Sequence, residues 1–139
     1  MRKFPELPQI PDRLPEVFAE RFNSGDLDAV ADAYEAGAVF SPEPGVQLTG
    51  AEALAAHRRF MDIGLPISVS PRHVYTSGDI ALLIVDWFIA GMGRDGTPVR
   101  IEATATDVAR CGPDGRWRYV LDNPVGVGPG ISRRETTAG

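Results

Sequence analysis

One run limits what this chain can fold into: Ile80 to Gly91, read as IALLIVDWFIAG. It is almost continuously apolar, with a single charge at Asp86. A strand of this kind is too hydrophobic to be wet on either face, so the fold must cover it on both. The residues around it are punctuated by turn signals. Gly93-Arg94-Asp95-Gly96 reads as a hairpin loop and Gly112-Pro113-Asp114-Gly115 as a second turn. The spacing therefore predicts four long antiparallel strands in a meander: Ile67 to Thr76, Ile80 to Gly91, Val99 to Arg110 and Arg116 to Val125.

The first half of the chain reads differently. Met1 to Pro11 is an extended arm spaced by prolines, with Phe4, Leu7 and Ile10 at every third place, and it is expected to lie against the body. Asp12 is a candidate N-cap. Leu14, Val17, Phe18, Arg21 and Phe22 then form a helical stripe that stops at Asn23-Ser24-Gly25. Asp26 caps a second helix through Tyr34, and Gly37 is the expected end of it. Short strands follow at Ala38 to Ser41 and Val46 to Leu48. A third helix opens at Thr49 or Gly50 and closes at Gly64 and Pro66. Residues 127–139 are rich in Gly, Ser and Thr, which predicts a flexible tail. The expected division is an arm over 1–11, one domain over 12–126 and the tail. Helices segregated to one face of an antiparallel sheet make an α+β domain. A strongly curved sheet closed by helices makes a cone with an internal pocket.

Charge and cysteine usage narrow the function classes. The 139 residues carry a net charge of -5, which argues against nucleic acid and anionic membrane as partners. Nothing resembles a signal peptide or a membrane span, and a reducing cytoplasm is the expected setting. One cysteine, Cys111, and two histidines, His57 and His73, without ligand spacing predict no metal site and no disulfide. The glycine hairpin has neither the lysine nor the following helix of a phosphate loop.

The segments FNSGDLDAVADAYEAGAVF, G-AEALAAHRRF and TDVAR, with the turn DG and then W-x-x-x-x-D, resemble the nuclear transport factor 2-like superfamily. Within it they are similar to the SnoaL-like polyketide cyclases and the ketosteroid isomerases. The resemblance covers residues 12–125 and implies the cone fold, a cystatin-like α+β barrel. It implies roles residue by residue. Asp107-Val108-Ala109-Arg110 matches the isomerase run whose aspartic acid is protonated and donates to the substrate oxyanion. The isomerase tyrosine of the first helix falls near Phe18, which has no hydroxyl. The isomerase base falls near Ser41 or Pro42, with Glu43 one step away. The cyclases use an acid of the last strand, and Asp122 stands at a similar register, preceded by Leu121 where an aromatic is common.

Alternation gives a separate view of the same acids. If Asp107 points inward, so do Ala105 and Ala103, which leave space. Asp122 then shares a face with Val120 and Pro124, and Asp86 with Ile84 and Phe88. Counting from the turns places all three acids on the concave face. Acids in an apolar cavity split into one protonated and one ionised group, which suits proton abstraction beside a carbonyl. Asp122 is the expected base, Asp107 the donor, and Asp86 an assistant or a structural partner of Arg72 or His73. Two other readings stand beside this: Asp107 paired with Arg110 or Arg100, and Asp122 as part of an Asx-turn. Phe18, Tyr34, Phe60 and Phe88 are candidate walls, with His73 at the mouth and His57 at the helix surface. Leu83, Val85, Trp87 and Ile89 then face outward, with Trp87 and Trp117 in sheet packing or a dimer contact. That face predicts a homodimer. The expected function is cofactor-free acid/base catalysis on a hydrophobic, enolisable carbonyl compound, by a cyclase-like or isomerase-like protein. Sequestering such a ligand without catalysis is the alternative.

Overall fold

A computed structural model describes residues 4–128 and the backbone of Ser132–Arg134. Three helices, α1 (Leu14–Ser24), α2 (Leu27–Ala31) and α3 (Gly50–Met61), precede most of the sheet. The strands are β1 (Tyr34–Phe40), β2 (Ile67–Ser77), β3 (Ile80–Met92), β4 (Pro98–Cys111), β5 (Trp117–Asp122) and β6 (Ser132–Arg134). The sheet runs β1-β5-β4-β3-β2, with β6 added to β4. It curls without closing, because β1 and β2 remain its two ends. The class is α+β, as the order of elements predicts.

Local chemistry explains most boundaries. Gly25 adopts φ +78 and its N–H closes α1 on the carbonyl of Phe22. The carboxylate of Asp26 accepts from the Ala29 N–H and caps α2. That helix is shorter than expected. It stops at Ala31, and Tyr34 already belongs to β1, paired in parallel with Tyr119. Gly37 is therefore not a helix cap; it lies where the β1–β5 register slips between Tyr34 and Val39. The expected strand over Val46 to Leu48 is reduced to one bridge between Leu48 and Phe40. Asn23, at the end of α1, brackets Ile67 with two hydrogen bonds of 3.0 and 2.8 Å and ties the helix to the start of β2.

The core lies between the helices and the concave face of β3 and β4. Here the expected orientation of β3 is reversed. Ala81, Leu83, Val85, Trp87 and Ile89 point inward and are buried. Leu82, Ile84, Asp86 and Phe88 point to the outer face. The cause is the hairpin. Met92 pairs with Pro98, so the loop spans residues 93–97 rather than 93–96. One extra residue shifts the register by one place and turns every side chain over. Leu83 then faces Asp107, and Asp86 faces Thr104. The apolar face expected to need covering from outside is thus the face that the helices cover.

The arm is docked. Leu7 is buried with Val17 and Ala33. The Trp117 N–H donates to the Pro8 carbonyl at 2.9 Å, and its indole donates to Gln9 at 3.2 Å. Arg21, 2% exposed, spreads its guanidinium between the carbonyls of Pro5 and Ala29 and the carboxylate of Asp32. Of the segment expected to be a flexible tail, residues 129–131 and 135–139 lie outside the described residues, while Ser132–Arg134 pair antiparallel with β4.

The turn after β5 is the tightest place. Gly126 has φ +59, and a Cβ there would stand 2.4 Å from the Thr104 carbonyl oxygen. Gly126→Ala should cost on the order of 2 kcal/mol or more, because neither backbone can retreat. Urea denaturation measures this; an unchanged midpoint would show that the turn tolerates a side chain.

Candidate active site

The cavity opens between α1, α3 and the concave sheet face. Its walls include Phe18 and Phe22 of α1, Phe60 of α3, Val85 and Trp87 of β3, and Ala105 of β4. Asp107 and Asp122 form its polar end. The free space is about 60 Å³, room for a few water molecules. A larger ligand must displace wall side chains; Phe18, Phe60 and Val69 are partly exposed members of that wall.

A β-bulge brings the two acids together. Val108 pairs with Leu121 but Ala109 with Tyr119, so Val120 is an extra residue in β5. In a regular strand Tyr119 and Asp122, three residues apart, would point to opposite faces. With the bulge, both point inward. Val120 itself leaves the cavity face, contrary to expectation, and Pro124 lines it. The turn chemistry falls to the next residue. Asn123 donates its N–H to the Asp107 carboxylate at 2.8 Å, and its side-chain amide donates to Thr106 Oγ1 and the Gly126 carbonyl. The Pro124 carbonyl accepts from the Trp87 indole at 2.8 Å. Asp122 is thereby left for the pocket.

Both acids are buried, Asp107 at 5% and Asp122 at 8% exposed. Their carboxyls line the same end of the cavity, close enough for Asp122 to act on Asp107. Burial, and then the charge of Asp122, pushes the Asp107 carboxyl well above its ordinary range. The Asn123 N–H opposes this only weakly. Tyr34 donates its hydroxyl to Asp122 Oδ2. Burial and the Asp122 charge hold the Tyr34 phenol well above its usual value. The Tyr119 phenol is raised in the same way, by burial and then by Asp107 and Asp122. The Tyr34 hydroxyl and the Asp107 carboxyl therefore converge on Asp122, and Tyr119 lines the same end of the cavity. Phe18 packs its ring edge-on against Tyr34 and Tyr119, at 6.2 and 5.7 Å between centroids. The hydroxyl that Phe18 lacks arrives from β1 instead.

The remaining expected residues are placed as follows. Asp86 is on the outer face, bonded by Arg72 at 2.9 and 3.1 Å and by Thr104 at 2.7 Å. It is half-exposed and shares no cavity with Asp107. Ile84 and Phe88 share that outer face, where Phe88 lies under the Arg100 guanidinium at 4.5 Å. His73 is exposed on β2 and stacks on Tyr75. His57, expected at the helix surface, is 5% exposed and lines the cavity. Its ring packs 4.7 Å from Tyr34 and 4.1 Å from Phe40. Burial lowers its pKa, against the pull of Asp122. Ala53, Ala56, His57 and Phe60 follow helical spacing, the signal that places His57 on the inner face. Among the described residues no cluster of His, Cys, Asp and Glu could hold a metal ion, and no helix is long and apolar enough to cross a membrane.

Residues 16–120 match the model of the SnoaL-like domain. The chain belongs to that family. Solved structures share its fold. A conserved protein of Planctomyces limnophilus superposes with a TM-score of 0.72 at 16% identity, covering 87% of this chain and 92% of that one. An NTF2-like protein with a cystatin-like fold from Novosphingobium aromaticivorans gives 0.62 at 18%, covering 84% and 79%. A candidate dehydratase of the NTF2-like family from Streptomyces avermitilis gives 0.61 at 21%, covering 78% and 88%. No curated protein matches. The fold that the chain shares with these structures is the NTF2-like, cystatin-like α+β one, as expected, with its sheet curled rather than closed.

The Asp107 shift has a measurable sign. The folded protein binds this proton more tightly than the unfolded chain. Its contribution to stability is full below the unfolded value of about 4 and falls as pH rises toward the folded value. Asn cannot ionise and keeps both hydrogen-bonding directions. Asp107→Asn should match wild type near pH ~4 and unfold at a higher temperature near pH ~8. His57 acts in the opposite sense, losing stability in acid, but is common to both proteins. A calorimetric comparison in which the variant is less stable at the higher pH would show that Asp107 is not held protonated.

Proposed function

We propose that this SnoaL-like domain catalyses proton transfer beside a carbonyl in a small hydrophobic compound. The observation that carries the reading is the buried Asp107–Asp122 pair at the end of an apolar cavity. Asp122 is the base that removes the proton from carbon. Asp107, protonated, turns its donor from Asp122 to the substrate oxygen as the enolate forms. Tyr119, lining the same space, is a second donor. Water-poor walls strengthen these hydrogen bonds, and one such donor typically contributes on the order of 3 kcal/mol to lowering the barrier. The reaction is of the isomerase or cyclase type, since the same pair that takes a proton can return it at another carbon.

The test uses a panel of small cyclic ketones and 1,3-dicarbonyl compounds in deuterated water, with exchange at the α-carbon followed by NMR. Asp122→Asn should lower the rate by about 100-fold or more. Asp107→Leu, which removes the donor, should cost a similar factor. Full turnover by the Asp122 variant would remove the base from the mechanism.

The narrow cavity supports a second reading, a protein that binds such compounds without converting them. About 60 Å³ is well below the several hundred Å³ of ordinary ligand pockets. Calorimetric binding of the same panel with no exchange in wild type would decide for it.

A further inference from the structure

A base that takes a proton from carbon at the buried end of a cavity must also be able to exchange it while a ligand fills the mouth. The acid pair is poorly placed to do so by itself. Tyr34 and Asn123 occupy hydrogen-bonding sites on it, the rings of Phe40, Phe60 and Trp87 line the cavity beside it, and any ligand that fills the cavity occupies the open side. A second void lies behind this wall. It is a cleft of about 250 Å³ between β1 and α3. The two spaces have two residues in common, Phe40 and His57. Of these, only His57 can carry a proton.

We infer that His57 is the proton exit of the acid pair, passing protons between the cavity and the α3–β1 cleft. Its placement has no evident packing purpose that phenylalanine would not serve, since its ring packs, tilted, against those of Tyr34 and Phe40 in an aromatic wall. Its chemistry suits transfer. The ring is neutral, with one nitrogen able to accept while the other gives up its proton. In the step, the proton on Asp122 moves to imidazole and leaves the carboxylate behind. The imidazolium then releases its other proton to solvent in the cleft and returns to neutral. Charge and protons balance, and no further reactant is needed. The groups around the ring favour brief protonation without trapping it. Tyr34 faces it from β1, and Asp122 from β5 supplies the one charge that raises its basicity. Asp107 and Tyr119 complete the cavity side. On the cleft side, Glu35 is held at 2.9 Å by Arg110 and does not compete for the ring. Arg58 and Arg59, on its own helix, are exposed.

This is a positioning role, acting through Asp122, and it rests on Asp107 and Asp122 being the working pair. Its test needs no substrate. Solvent exchange of the Tyr34 hydroxyl proton, which is bonded to Asp122, is measured by NMR in wild type and in His57→Phe and His57→Gln. Both variants should slow the exchange by at least about tenfold. Unchanged exchange in either overturns the relay. His57→Ala opens the ring's place to the cleft, and free imidazole should restore exchange there but not in His57→Phe, where the space is filled. Slow exchange in the Ala variant that imidazole does not relieve would reduce His57 to packing and overturn the inference. If the Ala variant fails to fold, the Phe and Gln variants decide. A working relay without turnover would sink the catalytic reading alone; loss of turnover in Asp122→Asn with unaltered exchange in the His57 variants would sink the relay alone.

Discussion

Asp107 and Asp122 meet across the β4–β5 hairpin in a place where two neighbouring charges would be costly. Much of the surrounding structure follows from keeping one proton between them. The bulge at Val120 turns Asp122 inward. Asn123 takes over the turn and spends its N–H on Asp107. Gly126 lets the chain pass against the Thr104 carbonyl, where no side chain would fit. Tyr34, brought in by β1 beside β5, donates to the remaining carboxylate. No buried polar side-chain atom among the described residues lacks a partner. A buried acid pair is tolerable only under that condition.

The second constraint is mechanical. A curled sheet with open ends needs its helices tied to it, and the ties are polar as well as apolar. Asn23 brackets the backbone of Ile67, and Arg21 binds the arm to α2 through the carbonyls of Pro5 and Ala29. Trp87 and Trp117 each bury a ring and use the indole N–H as a strut, one to the turn after β5 and one to the arm. The cavity walls are therefore anchored from both ends, while Phe18 and Phe60 keep some exposure.

Much of this was legible in the residues. The apolar run of β3, the turn signals on either side of β4, the Asp26 cap and the helical stripes all act over a few residues, and local chemistry sets them. The family resemblance added the cone. Asp107, with small Ala105 beside it, could be read as inward-facing from alternation within one strand. The departures from expectation come from strand register in two places and from a helix face in a third. Asp86, Ile84 and Phe88 were assigned inward, and Trp87 outward, by counting across a hairpin whose loop is one residue longer than its glycines suggest. Val120 was assigned to the pocket because a bulge leaves no mark in a strand of ordinary β-formers. His57 was set at the surface because a histidine beside arginines looks solvated, although its helical spacing with Ala53 and Phe60 pointed the other way.

The sequence alone thus determined the class of fold, the order of its elements and the two strands that carry the acids, because propensity, capping and turn chemistry are local. Only the tertiary structure decided which acids meet. Whether Asp86 or Asp122 joins Asp107 depends on register, and register is a property of two strands and the loop between them, summed over the whole sheet. The same holds for Tyr34, whose hydroxyl reaches Asp122 from 88 positions away because β1 adds in parallel at the sheet end. Protonation follows from that placement, since the energy of a carboxyl is set by what surrounds it and not by its neighbours in the chain.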